Sequence, residues 1–338
     1  MEEWRICDPG RFPMKFTIGA ALATSICLMA PGGAMAQTTL RVAHALSPSE
    51  PIHAAVTQFA EKVTERSDGR LRIQVFPSEQ LGINREIYEQ VRQGAPIIQV
   101  ADPGFMADYV PDFGVMNGPY LLDDPADFQR ILDSEWYEGL RAKAEEAGFR
   151  PLAFNYFFGN RHMLGAKPFR TPADLHGVTM RIAPNPIWVE TFAALDARGT
   201  PLPWSEVYSA LSQNVVEAVE APLGSIVGAR LTEQRQTLSM TSHFSAYLGL
   251  VMNERTFDGL EPDLQQILVE EAEAAGRMMT ETTIANDQKL IEDLRQSGVE
   301  IIDDVDIDAF RQATAKVYEA FPDWSPGIYD EVRTVLSH

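Results

Sequence analysis

The chain has 338 residues, 45% of them hydrophobic, and a formal charge of −20 at pH 7 from 48 acidic and 28 basic side chains. The acids form no single tail and the bases no cluster, which excludes nucleic acid and anionic membrane surfaces as partners. A small anion would also feel long-range repulsion, so a site for one must rest on short-range contacts in a shielded cleft.

At the amino terminus, Met14-Lys15 leads into an apolar run from Phe16 to Ala30, and Ala34-Met35-Ala36 before Gln37 is an A-x-A cleavage pattern. Residues 1–36 therefore read as a secretion signal, cleaved after Ala36, and are left out of the fold. The run is too short for a transmembrane helix, and no later segment reaches the roughly 18 apolar residues a span needs. The mature chain is expected to be soluble and periplasmic. Residues before Met14 lack signal character, which leaves Met14 as an alternative start. Both cysteines, Cys7 and Cys27, fall in the removed part, and Ile26 before Cys27 argues against a lipid anchor. Disulfides, thiol chemistry and cysteine-based zinc sites are thereby excluded from the mature chain.

About 300 mature residues exceed the usual single-core size, so two domains are expected. Thr39 to Ala45 reads as a buried strand, Pro51 to Arg66 as an amphipathic helix, and Ser67-Asp68-Gly69 as the turn into strand Arg70 to Phe76. Asn84 to Arg92 follows as a helix and Ile97 to Ala101 as a strand, the rhythm of a parallel-sheet domain. A second round runs from strand Phe149–Phe158 through Thr171-Pro172, a cap and first helical residue, to strand Val178–Ile182. Helices Pro186–Leu195 and Ser205–Leu211 and strand Val215–Glu220 complete it. Glu261 to Ser297 has a helical pattern without internal proline; about 37 residues at about 1.5 Å each give about 55 Å, longer than one domain. It reads as a strut along both lobes, the alternative being two helices broken at Gly276. Val299 to Ile302 reads as a strand, and Ile307–Phe321 and Ile328–Leu336 as closing helices.

Motifs for catalysis are missing. Six histidines are scattered, with no His-Glu-x-x-His helix, nucleophile elbow, Walker loop or dinucleotide fingerprint. No catalytic residue, metal or cofactor is assigned. By contrast, two apolar stretches each end in an arginine, in Asn155-Tyr156-Phe157-Phe158-Gly159-Asn160-Arg161 and Val178-Thr179-Met180-Arg181. A guanidinium fork presents paired donors to two carboxylate oxygens, which lysine cannot do; a structural ion pair is the alternative for each. Tyr156 and Phe158 occupy alternate strand positions facing one side, cleft or core. Trp204 and Tyr208 lie four apart on a predicted helix face, where Tyr208 offers a hydroxyl to a ligand or simply packs. His44 ends the first strand, where such folds place cleft residues, or is a satisfied core histidine.

Four blocks carry a resemblance to a known family: Leu40-Arg41-Val42-Ala43-His44 with Gln80-Leu81-Gly82; Gly104-Phe105 through Val110-Pro111-Asp112-Phe113 with Gly118-Pro119-Tyr120-Leu121; Gly159-Asn160-Arg161-His162 with Met180-Arg181-Ile182; and Pro203-Trp204-Ser205-Glu206-Val207-Tyr208 with Val216 through Leu223. In this order and spacing, they resemble the DctP-like solute-binding proteins of tripartite ATP-independent periplasmic (TRAP) transporters, over Thr39 to about Leu336. The resemblance implies a two-lobed α/β periplasmic-binding-protein (Venus flytrap) fold, each lobe a mainly parallel sheet flanked by helices, with a long helix spanning both. Lobe I is expected over residues 37–158 plus 247–286 and lobe II over residues 159–246 plus 287–338.

The resemblance also implies site roles. Arg181 matches the arginine that forms a two-pronged salt bridge to the ligand carboxylate. Arg161 matches a second one that supports or shares it, and Phe105 an aromatic lying against the ligand. Many relatives have asparagine, with an amide to the ligand, where this chain has Ala221; its loss suggests fewer contacts or a bulkier, more apolar ligand. Glu217 and Glu220 could accept from ligand hydroxyls or be structural acids. The expected function is a monomeric receptor that closes on a small organic acid and docks on the TRAP membrane subunits, with no chemistry of its own. The rivals are the receptor of an ATP-driven importer, an exported enzyme acting on an organic acid, and a sensor.

Overall fold

The computed structural model describes residues 37–124 and 126–337. The secretion signal with its cleavage point after Ala36, the alternative start at Met14, and Cys7 and Cys27 lie outside the described residues.

Among the described residues nine strands are formed: β1 (Thr38–Ala43), β2 (Leu71–Phe76), β3 (Ile97–Ala101), β4 (Phe149–Gly165), β5 (Thr179–Ile182), β6 (Arg198–Pro201), β7 (Ala218–Pro222), β8 (Thr237–Asn253) and β9 (Glu300–Ile302). They make one mixed sheet in the order β2-β1-β3-β8-β4-β7-β5-β6, with β9 also on β8. The two ends are parallel, β1 pairing with β2 and β3 at one and β5 with β6 and β7 at the other. All five residues of β3 and of β7 are buried, as expected of parallel strands covered on both faces. The centre is antiparallel, because β8 pairs with β3 and β4, and β4 with β7.

β4 and β8 are 17 residues each and belong to both ends of the sheet. Their pairing has four register shifts, one between Phe157 and Gly159, where Gly159 holds φ at 114°. That backbone region is open to glycine at little cost, and such bulges bend a strand. The whole of β8 escapes the sequence pattern. Its first half buries Ser239, Thr241 and His243 completely, so it shows no apolar alternation. Burial is tolerated because the polar groups are paired: Phe169 N donates to Ser239 Oγ at 2.9 Å, and Thr241 Oγ1 lies 2.7 Å from His243 Nδ1.

Several helices match their predicted bounds, among them Pro51–Arg66, Asn84–Arg92 and Ile328–Leu336. Others depart from expectation. Helices Asp127–Leu132 and Glu135–Glu146 were not anticipated. Ser205–Leu211 divides into a 3-10 turn, Trp204–Glu206, and a helix, Val207–Ser212. Ile307–Phe321 is a helix to Thr314 followed by a 3-10 turn.

The long helix, Pro262–Gln296, is continuous over 35 residues and packs on β4, on the first helix, on the helix after β7 and on β9. Gly276 does not break it. It sits where the helix meets β4, and a Cβ there would overlap the Asn155 side chain, whose Nδ2 donates to Glu273 O at 2.9 Å.

Candidate functional site

The carboxyl ends of the parallel strands at both ends of the sheet open into one cavity of about 330 Å³. His44 and Leu46 enter it after β1, Glu79 and Asn84 after β2, and Asp102, Phe105 and Asp108 after β3. Phe158 and Arg161 come from β4, Arg181 from β5, Pro222 from the end of β7, and Trp188, Trp204 and Ser225 from the segments that follow β5, β6 and β7. Such crevices beyond strand carboxyl ends are where open α/β sheets take ligands.

Arg181 is 3% exposed on β5, which β6 and β7 hold from either side. Its Nε and Nη2 donate to Leu202 O at 3.1 and 2.7 Å, and its guanidinium lies 5.2 Å from the Trp204 ring centre. Among the described residues no carboxylate lies within ion-pair distance of it, and Nη1 has no hydrogen-bond partner. Burial is the main reason its pKa is held down at about 10, with Glu220 pulling it up and the like charge of Arg161 pushing it down. A buried cation without a counter-ion is costly to hold, and an anion in the cavity would relieve it.

Arg161 is differently placed. Arg161 pairs in register with Pro222 across β4 and β7, so Glu220 is its diagonal neighbour on the same face. Its Nε donates to Glu220 Oε2 at 2.5 Å and its Nη2 to Oε1 at 2.8 Å and to Glu220 O at 3.1 Å. Trp188 Nε1 donates to Oε1 at 2.9 Å, and His243 Nε2 lies 3.4 Å from Oε2. Burial pushes the Glu220 carboxyl up, but Arg161 and His243 outweigh it and bring the carboxyl down to about 2. The reading of Glu220 as an acceptor for ligand hydroxyls is thus corrected: it is wholly buried, takes no part in the cavity wall, and its oxygens are already occupied.

Phe105, Phe158, Trp204 and His44 line the cavity with the two arginines. His44 is buried, its Nε2 lies 3.1 Å from His53 Nδ1, and burial followed by His53 holds its pKa at about 4, so it is neutral. Three other expected residues lie elsewhere. Tyr208 is 37% exposed, donates to Glu233 Oε2 at 2.7 Å and accepts from Gln234 Nε2 at 2.9 Å; the 3-10 turn at Trp204 breaks the helical spacing that would align the two. Tyr156 is fully buried and donates to Ala272 O on the long helix at 2.7 Å, because register shifts on both sides of it disturb the alternation of β4. Ala221 packs with Val219 and Leu223 in an apolar cluster and does not reach the cavity, since alternation along β7 turns it away from the Arg161 face.

Asp102, Glu79, Trp188 and Ser225 were not anticipated. The triplet Asp102-Pro103-Gly104 is a readable signal, a capping acid before a proline at a strand end: Gly104 N donates to Asp102 Oδ1 at 2.7 Å. Glu79 accepts from the Ser205 hydroxyl across the mouth of the cavity, and burial raises its pKa. Behind the mouth, Glu50 is 1% exposed and accepts from Ser47 N at 3.0 Å and Ser225 Oγ at 2.5 Å. Among the described residues, no group of three or more His, Cys, Asp or Glu is placed to hold a metal ion, and no helix is long and apolar enough to cross a membrane.

Residues 42–323 match the model of a family described as bacterial extracellular solute-binding protein, family 7. The 2,3-diketo-L-gulonate-binding periplasmic protein of Escherichia coli K12 is 31% identical over 82% of this chain and 85% of its own. A TRAP periplasmic solute-binding protein from Ochrobacterium anthropi, with bound L-fuconate, superposes with a TM-score of 0.86 at 34% identity, over 89% of this chain and 100% of that one. One from Actinobacillus succinogenes, with bound L-galactonate, has a TM-score of 0.86 at 32% identity, over 89% and 99%.

Proposed function

The chain belongs to family 7 of the bacterial extracellular solute-binding proteins, and from that premise we propose that it is the receptor of a TRAP transporter. It takes a small organic acid into the cavity between two lobes and delivers it to the transporter's membrane subunits from the periplasm, as a monomer. The observation that carries this reading is Arg181, a buried cation with a free donor edge on the cavity and no carboxylate of its own. Arg161, already matched to Glu220, lines the cavity without itself needing a ligand. The aromatic faces of Phe105, Trp188 and Trp204 exclude water from the space between, where a charge-assisted hydrogen bond is worth more than in bulk solvent. That short-range strength is what lets an anion bind a chain of charge −20.

Lobe I is read as residues 37–158 plus 247–286 and lobe II as 159–246 plus 287–338, so a ligand touching Asp102 and Arg181 together bridges them. A bridging ligand binds the closed form better than the open one and shifts the population toward it. Glu220, locked as an anion, and His44, held as a neutral ring, are both set to hold position rather than to exchange protons near neutral pH.

A thermal-shift screen over organic acids tests the reading, because a ligand at about 100 times its Kd adds roughly 2.7 kcal/mol to stability. At least one carboxylate, L-fuconate and L-galactonate among those tried, is expected to raise Tm by several degrees. A library in which no carboxylate raises Tm while other solutes do would sink it.

A further inference from the structure

We propose a second ligand site, a cleft beneath the long helix that takes a small organic amine, with the ammonium group on Asp287 and the apolar body against Phe158, Pro51 and Val227. It is separate from the acid cavity and goes beyond the receptor reading, on which it does not rest.

The cleft, of about 520 Å³, lies between the long helix Pro262–Gln296, the start of the helix Pro51–Arg66 and the helix Leu223–Gly228. Of its lining residues only Phe158 also lines the acid cavity. The buried stripe of the long helix steps by three or four residues through Ala272, Ala275 and Met279. Continued at that spacing, it reaches Thr283, Asp287, Leu290 and Leu294. A helix packed on a core keeps such a stripe apolar, yet here it turns polar at Thr283 and Asp287, and both line the cleft.

Neither polar group is matched by the fold. Thr283 is 7% exposed and its hydroxyl, buried, has no hydrogen-bond partner. Its neighbour Thr282 returns its hydroxyl to Met278 O at 2.8 Å, the bond open to a helical threonine that Thr283 does not make. Asp287 is half-buried and has neither a hydrogen bond nor an ion pair among the described residues. Burial raises its pKa to about 6, with no neighbouring cation opposing the shift, so it is an anion at neutral pH.

The cations of the cleft are already taken. Lys289 pairs with Asp293 and Arg230 with Glu233, which leaves the Asp287 carboxylate as the unmatched charge. A carboxylate drawn partly out of water without a counter-ion costs free energy, and an ammonium group supplies both the charge and the donors that remove the cost. A hydroxyl would supply a donor and leave the charge unmatched. With a formal charge of −20, the whole molecule draws a small cation in, the reverse of what an organic acid meets. Phe158, Pro51, Val227 and Leu290 give an apolar body of several carbon atoms a surface to cover.

Calorimetry on the full-length protein would use 2-phenylethylammonium and 2-phenylethanol, which share a body and differ in head group. The ammonium is expected to bind about 10- to 100-fold more tightly than the alcohol. In Asp287→Asn that advantage should disappear while the alcohol binds as before. Asp287→Ala, which favours the helix and has no carboxylate, serves where the asparagine variant fails to fold. Equal affinity for the two compounds overturns the proposal and needs no variant, as does an absence of amine binding at about 10 mM. A preference for the amine that persists in Asp287→Asn overturns it too. Arg181→Met is expected to keep the amine affinity within about threefold, and its loss there would place the amine in the acid cavity and refute a second site. Protein that binds the amine and no organic acid keeps this site and loses the receptor reading.

Discussion

Replacing Arg181 by methionine separates what the side chain does for the fold from what it does for the ligand. Burial lowers its pKa from 12.5 to about 10, and at about 1.4 kcal/mol per unit the folded protein spends roughly 3 kcal/mol keeping that charge buried. Methionine removes this cost and fills much of the same space beside Trp204. It also leaves Leu202 O without its two donors, which costs about 1–3 kcal/mol. The unliganded variant is therefore expected to be as stable as the wild type or more stable by up to about 2 kcal/mol. Ligand binding should move the opposite way: a charged partner lost from a buried pair costs about 2–5 kcal/mol, or roughly 30-fold to several thousand-fold in Kd. Urea unfolding of the apo proteins and titration calorimetry with the acid giving the largest Tm shift measure the two quantities. Affinity within threefold of wild type, or an apo protein destabilised by more than about 3 kcal/mol, would refute the reasoning.

Two further outcomes follow from the charges behind the cavity. Glu220→Gln leaves Arg161 buried without its counter-ion and is expected to destabilise by about 3–5 kcal/mol in denaturant unfolding; a loss below 1 kcal/mol would mean that the pair is solvated in solution. For Glu50, burial is the main cause of a pKa raised from 4.5 to about 7, so between these values the folded state holds the proton that the unfolded state has lost. Stability from this group is accordingly full below about pH 4.5 and falls as pH rises to 7 and above, by up to roughly 3 kcal/mol. Glu50→Gln should be close to wild type at pH 5 and more stable at pH 8, and an unchanged dependence of Tm on pH would show that Glu50 does not titrate as a buried group.

How far the fold can be read from residues depends on how local the cause is. Pro51 and Pro262 begin helices where the proline rule places them, because that signal acts within one turn. β8 is illegible because it buries Ser239, Thr241 and His243, of which Ser239 finds its partner, Phe169 N, 70 positions away in the folded sheet. The site divides along the same line. Arg181 stands out as a cation in an apolar strand, and it does line the cavity. The engagement of Arg161 with Glu220, 59 positions apart, depends on strand register that no spacing rule contains. Tyr156 and Tyr208 were drawn toward the site by ideal periodicities of 2 and 3.6, which a bulged strand and a 3-10 turn do not keep. Asp102 carries a local signal, but for capping; that it also lines the cavity shows only in the folded molecule.

The position of β8 in the middle of the sheet has a consequence for the order in which the molecule can assemble. Both β3 and β4 must wait for a strand that lies more than 70 residues downstream of β4, since β8 runs from Thr237 to Asn253. Neither flank can seal its central edge while the first two-thirds of the polypeptide is all that exists. A nascent chain of this topology therefore stays unfinished until late in synthesis, which would suit the export that we propose for it.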